Sequence, residues 1–115
     1  MKAAVMSITV GQLTETSQAR PAKHKREALF KHIPRLVVYV VRDMSRVIYI
    51  GMTSVGPRER LSGHKGGNSA LGLAIKRNIP SSNGWLVDLY SMPNRRAAYG
   101  VERILEKTFQ PEIRE

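Results

Sequence analysis

Leu36-Val-Val-Tyr-Val-Val-Arg-Asp-Met-Ser-Arg-Val-Ile-Tyr-Ile-Gly51 decides the fold. Its first six residues are an apolar run rich in β-branched side chains, the composition of a buried strand. A second run, Val47 to Ile50, follows across Asp43-Met-Ser45, and two such runs this close read as a β-hairpin. With the turn centred on Met44, antiparallel partners sum to 88 in residue number, which sets Tyr39 directly opposite Tyr49 on one face of the sheet. An odd sum would send the two phenols to opposite faces, because side chains alternate along a strand.

Downstream, Gly51 to Gly56 reads as loop. Pro57 is well placed to open a helix running to about His64, since its missing N–H is not needed there. Arg60 and His64 lie four apart and share a face of that helix. Gly66-Gly67 breaks the chain, and Asn68-Ser69 can cap a second helix through about Arg77. Ser81 to Gly84 is a loop, and Trp85 to Tyr90 reads as a third strand whose two aromatics are expected in the core. Asn94 caps the longest helix, Arg95 to about Phe109, which Pro111 ends. Ala97, Ala98, Val101, Ile104, Leu105 and Thr108 form its apolar stripe, with Glu102 at the edge, roughly 85° from the stripe's centre.

Working back from the hairpin, Pro34 stops any preceding helix. Residues 1–35 read as a basic arm with one short helix over Glu27 to His32. The expected fold is therefore a small α/β domain of the α+β type over residues 36–115. It has a three-stranded antiparallel sheet flanked by helices, in the order β-β-α-α-β-α.

Composition agrees with one small domain. The chain has 115 residues, 42 % of them hydrophobic, and no apolar run approaches the roughly 20 residues that span a bilayer. The absence of cysteine excludes disulfides, zinc thiolate sites and thiol catalysis, so any metal must sit on oxygen or imidazole. Ser7, Thr9 and Gly11 interrupt the weakly apolar start and no small-residue cleavage site follows. The expectation is a cytoplasmic protein, of a nucleoid or a phage-infected cell, neither secreted nor membrane-bound. Nineteen Lys and Arg against nine acids give a net charge of +10, which points to a polyanionic partner.

The series Val37-Val-Tyr39, Tyr49-Ile-Gly51, Arg60 with His64, and Glu102 resembles the ordered motifs of the GIY-YIG nucleases, a family that includes excision-repair incision subunits and phage homing endonucleases. The resemblance covers residues 36 to 111. Three positions depart from it. Val37 replaces the usual first glycine, Met52 stands where relatives often carry lysine, and no asparagine follows the final proline. These bear on backbone packing, rate and phosphate contacts.

The resemblance implies a metal-dependent endonuclease that hydrolyses phosphodiester bonds in DNA. Glu102 would be the one protein ligand of Mg²⁺ (or Mn²⁺), with waters and phosphate oxygens completing the octahedron. Arg60 would clamp the phosphate through its planar fork. His64 would shuttle a proton or bind the phosphate. Tyr39 would deprotonate water, an awkward task for a phenol whose free pKa is about 10. Tyr49 would orient the phosphate or metal-bound water, the two tyrosine roles being exchangeable. Arg58, Lys65, Lys76 and Arg77, with Arg95, Arg96 and the arm residues Lys23, Lys25 and Arg26, would track the nucleic-acid backbone. Relatives usually join this domain to a separate DNA-binding module, so specificity would come from the arm, the groove, a homodimer or a partner protein. An RNA nuclease with the same site and a catalytically silent nucleic-acid-binding module are the alternatives.

Overall fold

The computed structural model describes residues 6–14, 33–67 and 69–114. In chain order these form β1 (Met6–Thr9), α1 (Val10–Thr14), β2 (Val37–Asp43), β3 (Arg46–Thr53), α2 (Pro57–Gly66), α3 (Ala70–Arg77), a 3₁₀ turn (Ser81–Gly84), β4 (Leu86–Ser91) and α4 (Arg95–Phe109). The strands make one antiparallel sheet in the order β1-β4-β2-β3. No helix among the described residues is long and apolar enough to cross a membrane.

The sheet has four strands where three were expected. The fourth comes from the stretch read as arm. Met6–Thr9 pairs with the outer edge of β4, Ile8 opposite Val87 and Ser7 opposite Asp88. The polar residues that interrupt the apolar run at positions 7 and 9 are the outward half of a period-two strand. Ile8, Val10 and Leu13 are buried in the main core. Across the outward side, Asp88 accepts from the Ser7 hydroxyl on one neighbouring strand and takes both Nε and Nη2 of Arg42 on the other. The short helix expected over 27–32 lies outside the described residues.

Helices cover both faces of the sheet. On one, Val37, Tyr39 and Val41 of β2, Ile48 and Tyr49 of β3, and Val87 and Leu89 of β4 pack with α1, Leu61 of α2 and Leu71 and Ile75 of α3. Trp85 is buried with them, as expected. On the other, Val38, Val40 and Ile50 pack against Ala98 and Leu105 of α4, with Val101 and Tyr90 partly buried at the border. Asn94 caps α4 as the sequence predicts, its Oδ1 accepting the Ala97 N–H at 2.8 Å. The buried stripe of α4 differs from the expected one. It runs through Ala98, Val101 and Leu105, while Ile104 is 60 % exposed and Thr108 is also outside. The small Ala98 lets this line of the helix seat on the sheet, which rolls Glu102 inward to a half-buried position.

The hairpin register decides the placement of the tyrosines. Beside the turn, Asp43 pairs with Arg46 and Arg42 with Val47, an odd sum of 89. Continued unchanged, this register would send Tyr39 and Tyr49 to opposite faces. A β-bulge intervenes between Val41 and Arg42. Ile48 is the extra residue, and beyond it Val41 pairs with Tyr49 and Tyr39 with Gly51, a sum of 90. The expected sum of 88 is thus corrected by two. The phenols share a face, but diagonally, and the residue directly opposite Tyr39 is Gly51.

That glycine is required sterically. A Cβ on Gly51 would lie 2.5 Å from both Cζ and Oη of Tyr39 and 2.7 Å from Cε2 of Tyr49. Gly51→Ala is expected to force both rings aside and to destabilise the domain by about 1–3 kcal/mol, the usual range for overpacking a filled core. Urea unfolding of the variant measures this, and an unchanged midpoint would contradict the packing described.

Candidate active site

Tyr39 occupies the middle of a central strand and has 0 % of its surface exposed. Its ring lies beside that of Tyr49, with centroids 5.9 Å apart and planes at 35°. His64, reaching in from α2, meets Tyr49 edge-on at 5.7 Å and brings Nε2 to 3.5 Å from the Tyr39 hydroxyl. Arg60, one turn earlier on the same helix face, hydrogen-bonds that hydroxyl too. Tyr39, Tyr49, Arg60 and His64 therefore converge on one face of the sheet. The pieces that bring them together are the bulge at Ile48, which aims Tyr49, and Leu61, whose burial orients α2.

The electrostatics of Tyr39 work against ionisation. Burial pushes its phenol far above the usual range, and the neighbouring Tyr49 adds to the effect, while Arg60 opposes both through its hydrogen bond and its charge. The guanidinium thus favours a phenolate.

Glu102 lies apart. It is carried by α4, which packs on the opposite face of the sheet, and among the described residues no hydrogen bond or ion pair joins it to the other four. Its carboxyl is pushed above its ordinary value, first by burial and then by the like charge of Glu106 one turn on. Among the described residues no group of three or more His, Cys, Asp or Glu is placed to hold a metal. A metal at Glu102 would rest on that carboxylate with little other protein help.

The outlying cations have varied surroundings. Arg58 is half-buried at the start of α2, and Arg77 is exposed at the end of α3. Lys76 turns its ammonium to the carbonyl of Gly67 at 2.6 Å. Arg95 donates to Ser54 at 3.0 Å, tying the start of α4 to the loop that leads into α2. Lys23, Lys25 and Arg26 lie outside the described residues, as does the side chain of Lys65. One residue at the site was read from the sequence only as a helix cap. Ser69 caps α3 and also places Oγ 2.6 Å from Nδ1 of His64. Its distance along the chain, five residues from His64, carries no signal until the two helices fold back on each other.

No family model, no curated protein and no solved structure matches this chain.

The raised carboxyl of Glu102 has a consequence for stability. A group that binds its proton more tightly in the folded state favours folding at low pH. It loses that advantage as pH rises from the unfolded pKa, about 4.3, through the higher folded value. Glu102→Gln is therefore expected to melt higher than the wild type at about pH 8, the difference closing at about pH 3. Solvent screening of this half-exposed group keeps the gain below about 1 kcal/mol, a few degrees at most in a domain this small. Thermal melts at the two pH values check it.

Proposed function

We propose that this chain is a metal-dependent endonuclease of the GIY-YIG kind, hydrolysing phosphodiester bonds in DNA. The observation that carries the reading is the convergence of a guanidinium, an imidazole and a second phenol on the buried hydroxyl of Tyr39. Packing alone gives no reason to gather these groups. An apolar ring would fill the same space without a buried hydroxyl to satisfy. The net charge of +10 supplies the attraction for a polyanion.

In this reading Tyr39 acts in its phenolate form. It takes a proton from water, the resulting hydroxide attacks phosphorus, and the bond from phosphorus to the leaving sugar oxygen breaks as that oxygen gains a proton. Arg60 holds the phosphate and favours the phenolate, two tasks its several donors can share. Because Tyr39 has no exposed surface, substrate binding must open a path for one water. Glu102 suits a hard divalent cation. Its carboxylate is held half-buried beside Glu106 without an ion pair among the described residues, and a bound Mg²⁺ or Mn²⁺ would relieve both unfavourable terms. When bound, such an ion supplies charge stabilisation at the phosphoryl oxygens.

One observation favours the catalytically silent binding module instead. Glu102 is carried by the helix that packs on the other face of the sheet from the tyrosines, and a carboxylate outside the cluster serves catalysis only if substrate bridges the two.

Incubation of purified protein with supercoiled plasmid separates these readings. The nuclease reading expects nicking that requires Mg²⁺, stops with EDTA, and falls by about 100-fold or more in Glu102→Ala and in Tyr39→Phe. Equal nicking by the Glu102 variant would sink the metal site. Retained DNA binding without any nicking by the wild type would establish the silent module. A matched panel of duplex, single-stranded and RNA substrates assigns the polymer, and comparison with Tyr49→Phe assigns the base.

The direction of the Tyr39 shift adds a pH dependence. A base that is almost wholly protonated throughout the neutral range gains active form about tenfold per pH unit. Wild-type nicking is expected to rise with that slope from about pH 6.5 to 9 without a plateau. A plateau below about pH 8 would exclude Tyr39 as the base.

A further inference from the structure

The corner between α2 and α3 is built around His64. A Cβ on Gly72 would lie 1.9 Å from the His64 carbonyl oxygen, so only glycine lets the second helix begin this close to the end of the first. The close approach sets Ser69 against the imidazole. Its Oγ accepts the Gly72 N–H at 3.1 Å as the cap of α3 and stands 2.6 Å from Nδ1 of His64. His64 is 6 % exposed, and its other nitrogen faces the Tyr39 hydroxyl.

A serine hydroxyl has one proton and two acceptor lone pairs. Gly72 takes one lone pair. Among the described residues the Ser69 side chain makes no further hydrogen bond apart from the one to His64, so Nδ1 is the acceptor left for the hydroxyl proton. A neutral imidazole that accepts at Nδ1 carries its own proton at Nε2.

We infer that Ser69 is a positioning residue that locks His64 in the Nε2–H tautomer, so that the imidazole presents a donor to the oxygen of Tyr39. Arg60 on α2 is the second donor to that oxygen, and Tyr49 on β3 flanks it. The resting ring then stabilises negative charge on Tyr39 and does not take the Tyr39 proton, in contrast to the shuttle role implied by family resemblance. That catalytic consequence rests on the nuclease reading, whereas the tautomer lock does not.

Two-bond ¹H–¹⁵N correlation spectra of histidine-labelled protein, with no substrate or metal, read the tautomer directly. They are recorded on the alkaline side of the ring's own titration. His64→Gln assigns its signals among the three histidines. Wild type and Ser69→Thr are expected to hold the Nε2–H form. Ser69→Asp caps a helix as well as serine but offers acceptors only, so it is expected to reverse the populations to Nδ1–H. Wild type in the Nδ1–H form, or an unchanged tautomer in Ser69→Asp, would overturn the inference. Should the aspartate variant not fold, Ser69→Ala serves. Appearance of the Nδ1–H form supports the lock, and unchanged populations refute it. Loss of the nuclease reading leaves these spectra untouched.

Discussion

One extra residue in β3 governs what this domain can do. The tight turn at Met44 and Ser45 imposes an odd pairing sum, and an odd sum separates Tyr39 from Tyr49 by the thickness of the sheet. The bulge at Ile48 restores an even sum. Both Ile48 and its neighbour Tyr49 then join the core on the same side, so the bulge is filled by apolar contact as well as by register. From there the remaining geometry follows. Tyr49 lies diagonal to Tyr39, the Tyr39 ring crosses over the residue opposite it, and that residue can only be glycine. The edge left by the bulge is covered by the chain end, where the N–H groups of Glu112 and Ile113 reach the carbonyls of Val47 and Ile48.

Two of the candidate residues, Tyr39 and Glu102, on elements that pack on opposite faces of the sheet, share a physical trait. Burial works against a charge on Tyr39, and it also works against the charge on Glu102. Elsewhere the fold treats polar groups differently. Arg42 and Asp88 form a bidentate pair on the outward side of the sheet, and Ser7 completes it from the added strand. The outward ion pair is satisfied from both neighbouring strands, whereas Asn83, in the 3₁₀ turn, has a buried Oδ1 with no hydrogen-bond partner.

The sheet separates two kinds of support. Helices α2 and α3 meet at a close corner whose tightness depends on Gly72, and this corner presents Arg60 and His64 to the tyrosines. On the far face α4 carries Glu102, with Arg95 fastening its first turn to Ser54. The loop from β3 to α2 is thus tied to the start of the helix on the far face.

Much of this was legible in the sequence, for local reasons. The β-branched runs named two strands, and Pro57, Ser69 and Asn94 named three helix starts; of the five residues named by the motif series, Tyr39, Tyr49, Arg60 and His64 meet, while Glu102, expected on the same side, is carried by the helix on the other face. What local patterns could not carry depended on partners distant in the chain. Met6–Thr9 becomes a strand because β4 offers it an edge, about 80 residues away. The stripe of α4 turns from Ile104 toward Glu102 because the sheet, and not the helix's own periodicity, chooses which side is buried. The even register was expected, but its cause, a single inserted residue, has no local signature in a run as uniformly apolar as Val47 to Ile50. Composition and periodicity determined most of the elements, and the family resemblance supplied the chemistry expected of their residues. Only tertiary packing, which sets register, helix roll and the pairing of Ser69 with His64, decided which of those groups meet.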